Sequence, residues 1–266
     1  MDDALEILIQ QVNDALKARR FQDALTLLDQ ALKLAPERAE LYIDRSMIYF
    51  QMRQFYDALK AVDKALELKP DYAVAYYNRA MILSAQGRTR RAVEAYTQAI
   101  DADPDYVNAI YNRGTMLMMR GDHEEALADF NRAAELSPDD HEVYYMRAYN
   151  YVQMDDLDAA LPDIDHALEL KPELATLHHL RGVIMARLER YDDSLEAFNA
   201  ALGQNPDHAA SKLTRAQLYL KRGEFDDARA DFEAVLAVDP KNVIATVGLR
   251  AAKKGDSSLL PSKYRI

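Results

Sequence analysis

The chain has 266 residues, a formal net charge of −11, 49% apolar and 29% charged residues, and no cysteine. This acidity argues against a general nucleic-acid binder, which needs a basic face to neutralise phosphates, and more weakly against an anionic membrane surface as partner. Without cysteine there is no disulfide framework, thiolate metal site or thiol nucleophile.

The first residues, "MDDALEILIQQ", carry two acids and lack the basic region and cleavage site of a secretory signal. No apolar run approaches the roughly 18 to 20 residues that cross a bilayer. The expectation is a cytoplasmic chain without membrane insertion.

Punctuation then becomes periodic. Pro36, Pro70, Pro104, Pro138, Pro172, Pro206 and Pro240 follow one another at intervals of 34 residues, without insertion or deletion. Fixed self-similarity at such a period marks a stacked array, and a proline at constant phase ends one helix in every unit. Six of the seven are followed by an acid, which suits the start of the next helix; only Lys241 breaks the pattern. The units are 5–38, 39–72, 73–106, 107–140, 141–174, 175–208 and 209–242.

Each unit reads as helix–turn–helix. In the second helix, small residues (Ala24, Ala58, Ala92, Ala126, Ala160, Ser194, Ala228, and seven further on Ala31, Ala65, Ala99, Ala133, Ala167, Ala201, Val235) flank a bulky column. That column is Leu28, Val62, Tyr96, Phe130, Ile164, Phe198 and Phe232. Offsets of four and three place all three on one face, where a neighbouring helix approaches closely and the large side chain fills the hollow. The first helix has its own close-contact column: Val12, Ser46, Ala80, Gly114, Ala148, Gly182 and Ala216. Gly87, Gly121 and Gly223 mark left-handed turns between the two helices. Arg19, Arg53, Asp155 and Glu189 hold that place in the other units and predict less ideal turns. Residues 243–254 read as a capping helix. The tail 255–266, "GDSSLLPSKYRI", has no helical period and predicts a flexible end, with Leu259 and Leu260 as the means of folding back.

The small–bulky–small–proline pattern at 34 residues resembles the tetratricopeptide repeat family over Leu5 to Asn242. In place of the family's tryptophan column stand Leu8, Tyr42, Tyr76, Ile110, Tyr144, His178 and Lys212, and Lys212 departs furthest. The resemblance implies an all-α fold, a right-handed α-solenoid of antiparallel helix pairs over 1–254. It also implies a concave groove lined by the first helices. The family's groove positions fall on Tyr77, Asn78 and Met81, then Tyr111, Asn112, Thr115, Met118 and Met119, then Tyr145, Met146 and Tyr149, then His179. Two amides one repeat apart suit a peptide backbone, and Tyr and Met suit an apolar segment of a partner protein. One family variant grips terminal carboxylates with Lys and Arg; its positions here hold Ile9 and Asn13, Asp44, and Val74 and Asn78, without a cation.

The remaining signals each have a plain structural role beside a functional one. The column Arg45, Arg79, Arg113, Arg147, Arg181 and Arg215 offers either a row of cations or internal pairing, and Asp129, Asp163 and Asp231 are candidate partners that favour pairing. "GRTRR", Gly87–Arg91, opens a helix with cations against the dipole preference, as a partner patch or a solvated turn. No histidine pair has metal-site spacing, no phosphate loop or nucleophile elbow appears, and no cofactor is implied. The expectation is a non-enzymatic scaffold for a protein or peptide partner. The alternative is a self-associating building block, a homo-oligomer or an engineered array without a dedicated peptide ligand.

Overall fold

The computed structural model describes residues 2–261, which form fifteen α-helices and one short 3-10 turn, with no strand among the described residues. No helix among them is long and apolar enough to cross a membrane. The chain divides into two compact units, Met1–Leu136 and Ser137–Ile266. The first holds α1 (Asp2–Lys17), α2 (Phe21–Leu34), α3 (Ala39–Gln51), α4 (Phe55–Leu68), α5 (Ala73–Ala85), α6 (Thr89–Ala102), α7 (Val107–Arg120) and α8 (His123–Leu136). The second holds α9 (His141–Gln153), α10 (Leu157–Leu170), α11 (Ala175–Arg187), α12 (Tyr191–Gln204), α13 (Ala209–Arg222), α14 (Phe225–Val238) and α15 (Val243–Lys254), then the 3-10 turn Ser257–Leu259. Both are α-solenoid arrays of helix pairs joined by short turns.

All seven turns inside the pairs share one geometry. One or two residues past the first helix the backbone is left-handed, whether the residue there is glycine (Gly87, Gly121, Gly223) or not (Arg19, Arg53, Asp155, Glu189). The following amide then reaches back to a carbonyl five residues earlier, as in Arg88 N to Leu83 O at 2.9 Å and Arg190 N to Met185 O at 2.9 Å. This satisfies carbonyls that the helix end would leave open. The four units expected to turn less ideally therefore turn like the rest, and carry the steric cost of a Cβ there instead.

The interior follows the columns. Leu28, Val62, Phe130, Ile164, Phe198 and Phe232 are fully buried between buried small residues. Close approach is tightest where the opposing residue is glycine: a Cβ on Gly182 would lie 2.6 Å from the Phe198 ring, and one on Gly248 2.3 Å from the Phe232 ring. At the proline turns, Tyr42 and Tyr76 donate their hydroxyls to the carbonyls of Pro36 (3.0 Å) and Pro70 (2.9 Å). His178 Nε2 lies 2.8 Å from the Pro172 carbonyl. A polar tip on an apolar body thus ties the first helix to the loop before it. Lys212, with no such tip, sends its ammonium toward Asp207 at 4.0 Å while its stem stays covered.

At the C-terminal end, α15 contributes Ala245, Ala251 and Ala252 to a cluster with Phe232 and Ala216. Gly255 ends the helix in the left-handed region. Asp256 then caps the 3-10 turn through Ser258 N, and Leu260 returns to the same cluster, 2% exposed. The fold-back through leucine is thus built by Leu260, whereas Leu259 stays exposed. Residues 262–266 of the expected tail lie outside the described residues.

Candidate functional site

The arginine column decides which charges remain free. Arg113, Arg147 and Arg215 each hold a buried carboxylate sixteen residues onward with a two-point fork. For Arg113, Nε meets Asp129 Oδ2 at 2.8 Å and Nη2 meets Oδ1 at 2.6 Å. Asp163 and Asp231 repeat the geometry. Arg45, Arg79 and Arg181 have alanine at that place (Ala61, Ala95, Ala197) and pair instead with a more exposed acid sixteen residues back: Asp29, Asp63 and Asp165. Where the forward position is acidic, the backward one is neutral: Thr97, Asn131 and Asn199. Every arginine of this column therefore has one carboxylate. The column is internal cross-bracing of the array. Half-buried, each guanidinium gains a geometrically specific partner.

In the first unit, the positions assigned to the groove divide by burial. Asn78 is 5% exposed and its amide has no hydrogen-bond partner among the described residues. Met118 is buried, Met81 and Thr115 are half-buried, and Thr115 returns its hydroxyl to the Tyr111 carbonyl. Tyr77 lies against Tyr96 and Tyr106, with ring centroids 5.8 and 5.1 Å away. Burial raises the pKa of its hydroxyl, and that hydroxyl accepts a hydrogen bond from Asn112 Nδ2 at 3.2 Å. Asn112 also donates to the Asn108 carbonyl. The two amides of the expected pair therefore differ: one is enclosed, and the other joins consecutive first helices through Tyr77. Tyr111 packs edge-on to Phe130. Met119 stands out, 72% exposed.

In the second unit, Tyr145 stacks on Tyr149, with centroids 6.5 Å apart; Tyr149 is exposed and Met146 half-buried. His179 packs against Phe198 and approaches His208. The Ser211 hydroxyl sits between the two rings, 3.2 Å from His179 Nδ1 and 2.7 Å from His208 Nδ1. His208 Nδ1 also accepts the Ser211 amide at 3.3 Å, which caps α13. That nitrogen therefore carries no proton, so the Ser211 hydroxyl donates to it and accepts from His179 Nδ1–H. Burial first, and His208 second, push the His179 pKa down to about 4. Sequence reading named His179 but neither Ser211 nor His208, whose role depends on the packing of α13 beside α11.

Three tetratricopeptide-repeat family models match this chain, over residues 77–141 and 145–209, 186–252, and 37–105. The chain belongs to the tetratricopeptide repeat family. No curated protein matches it. Similar solved structures include YrrB, described as a tetratricopeptide protein with an unusual peptide-binding site: 27% identity, TM-score 0.61, covering 69% of this chain and 95% of that one. The C-terminal part of a repeat-containing protein from Cytophaga hutchinsonii aligns at 16% identity and TM-score 0.72, over 90% of this chain and 98% of its own. The Cut9–Hcn1 heterotetramer of the APC/C aligns at 18% identity and TM-score 0.65; this chain spans 92% of its own length and 55% of that chain. Family and fold together support a protein–protein interaction scaffold.

Proposed function

We propose that this protein is a non-catalytic scaffold whose first helices take up a peptide segment of a partner protein. In the first unit the contact surface runs along α5 and α7, through Tyr77, Met81, Tyr111, Asn112, Thr115 and Met119. In the second it runs along α9 and α11, through Tyr145, Met146, Tyr149 and His179. Asn78 and Met118 support this surface from beneath. The observation that carries the reading is Met119: a large apolar side chain held in solvent on a helix whose other apolar residues are buried or half-buried. YrrB's described peptide-binding site supports it by likeness.

Selection from a displayed random-peptide library tests this. Enriched peptides should be apolar and should bind Met119→Glu and the Tyr111→Ala/Asn112→Ala pair at least about tenfold more weakly. Equal binding to both variants, with helical circular dichroism intact, sinks the proposal. A second reading, self-association, is favoured by Val238 and Val243, both exposed near the C-terminal end. A light-scattering mass that stays monomeric at high micromolar concentration removes it.

A further inference from the structure

Alanine at position 95 leaves a seat empty that the same fold fills elsewhere. In the fourth, fifth and seventh helix pairs this place holds Asp129, Asp163 and Asp231, each forked by the facing arginine. In the third pair, α5 and α6 enclose an open cavity of about 330 Å³ whose lining includes Arg79, Ala95, Arg88, Arg91, Glu94 and, from α4, Asp63. Arg79 gives only Nη2 to Asp63, and its Nε donates to no acceptor among the described residues. A similar hollow lies beside Ala61 in the second pair, where Arg45 Nε is buried without an acceptor.

The third pair differs in its free charge. Where an arginine opens other second helices, an aspartate three residues on neutralises it: Arg20 with Asp23 and Arg190 with Asp193. Arg88 has Arg91 at that position. Arg88, Arg90 and Arg91 form no ion pair among the described residues, in a chain of net charge −11. A half-buried guanidinium with a spare donor edge, an empty carboxylate seat and two free cations on the cavity lining, Arg88 and Arg91, form a receptor for one chemistry.

The geometry points to a carboxylate-binding pocket at Arg79 and Ala95 that takes an aspartate or glutamate side chain from an acidic segment of a partner protein. The carboxylate occupies the seat that Asp129 fills in the next pair, while Arg88, Arg90 and Arg91 receive neighbouring acids of the same segment. This pocket lies apart from the peptide surface proposed above and does not depend on it.

The test is fluorescence anisotropy with a labelled, C-terminally amidated octaglutamate, whose only carboxylates are side chains, and its octaglutamine counterpart. Octaglutamate should bind wild type at low salt, weaken as salt rises, and leave octaglutamine unbound. Ala95→Asp supplies the missing carboxylate from within and should lower affinity about tenfold or more. Arg88→Ala/Arg91→Ala, at exposed positions that leave packing intact, should do the same. Ala197→Asp, an equivalent alanine whose turn cations are already paired, should bind like wild type. The proposal is overturned if Ala95→Asp and Arg88→Ala/Arg91→Ala both bind normally, or if octaglutamine binds equally well. It also fails if sedimentation shows that Arg88 and Arg91 mediate self-association that excludes the peptide, since the occupant is then a second copy of the chain.

Discussion

Glu189 sits at φ 59, a backbone region that costs an L-residue roughly 1 kcal/mol. Among the described residues its side chain has no hydrogen-bond or ion-pair partner that would make up for this. Glu189→Gly should therefore stabilise the protein by roughly 0.5–1 kcal/mol in chemical denaturation, because the native backbone already has the shape glycine prefers. Gly182 is the opposite case: it is needed for space. A methyl there would meet Phe198, so Gly182→Ala should cost about 1–3 kcal/mol by overpacking. A change under about 0.5 kcal/mol in either variant contradicts the corresponding geometry. The columns at this scale were legible because their spacing is a direct print of helix–helix contact. Half of the arginine pairing was legible too, through Asp129, Asp163 and Asp231. The other half, Asp29, Asp63 and Asp165, was missed because those partners belong to the preceding helix pair.

Among the elements, α13 has a start that depends on an unprotonated imidazole. Protonation of His208 at Nδ1 would set a donor against the Ser211 amide and hydroxyl, and protonation of His179 would place a second charge about one ring away. Both histidines have folded pKa values below the ordinary 6.5, with burial the leading cause. Their contribution is therefore fully present above pH 6.5 and is lost as pH falls from 6.5 through the folded values, toward about 4 for His179. Denaturant midpoints measured between pH 7 and 4.5 should fall less steeply in His179→Gln than in wild type. Identical slopes would show that the pair does not report pH. Sequence could mark the helices and their boundaries, since periodicity and proline suffice for that. It could not show that two histidines 29 positions apart share one serine, nor that Asn78 is enclosed while Asn112, with the same surroundings in the repeat, reaches Tyr77.

Considered whole, the protein is built from neighbour contacts, so damage should spread only a short way. Phe232→Ala removes a fully buried ring at the C-terminal cluster and should cost about 3–5 kcal/mol locally. Hydrogen exchange should rise across 209–260 and stay unchanged across 39–102; a uniform rise would mean that the chain unfolds as one. The arginine bracing adds a rule about order. Because half the arginines borrow their acid from the unit before, the units are not interchangeable modules. Excising 107–140 removes Arg113 together with Asp129 and leaves Arg147 with its own Asp163. Excising 141–174 takes Asp165 away from Arg181, which then finds only Ala197 on its own second helix. Lineages that gain or lose a repeat, and engineers who splice them, must keep this charge parity: a cut of correct length at the wrong unit strands a cation inside an otherwise perfect array.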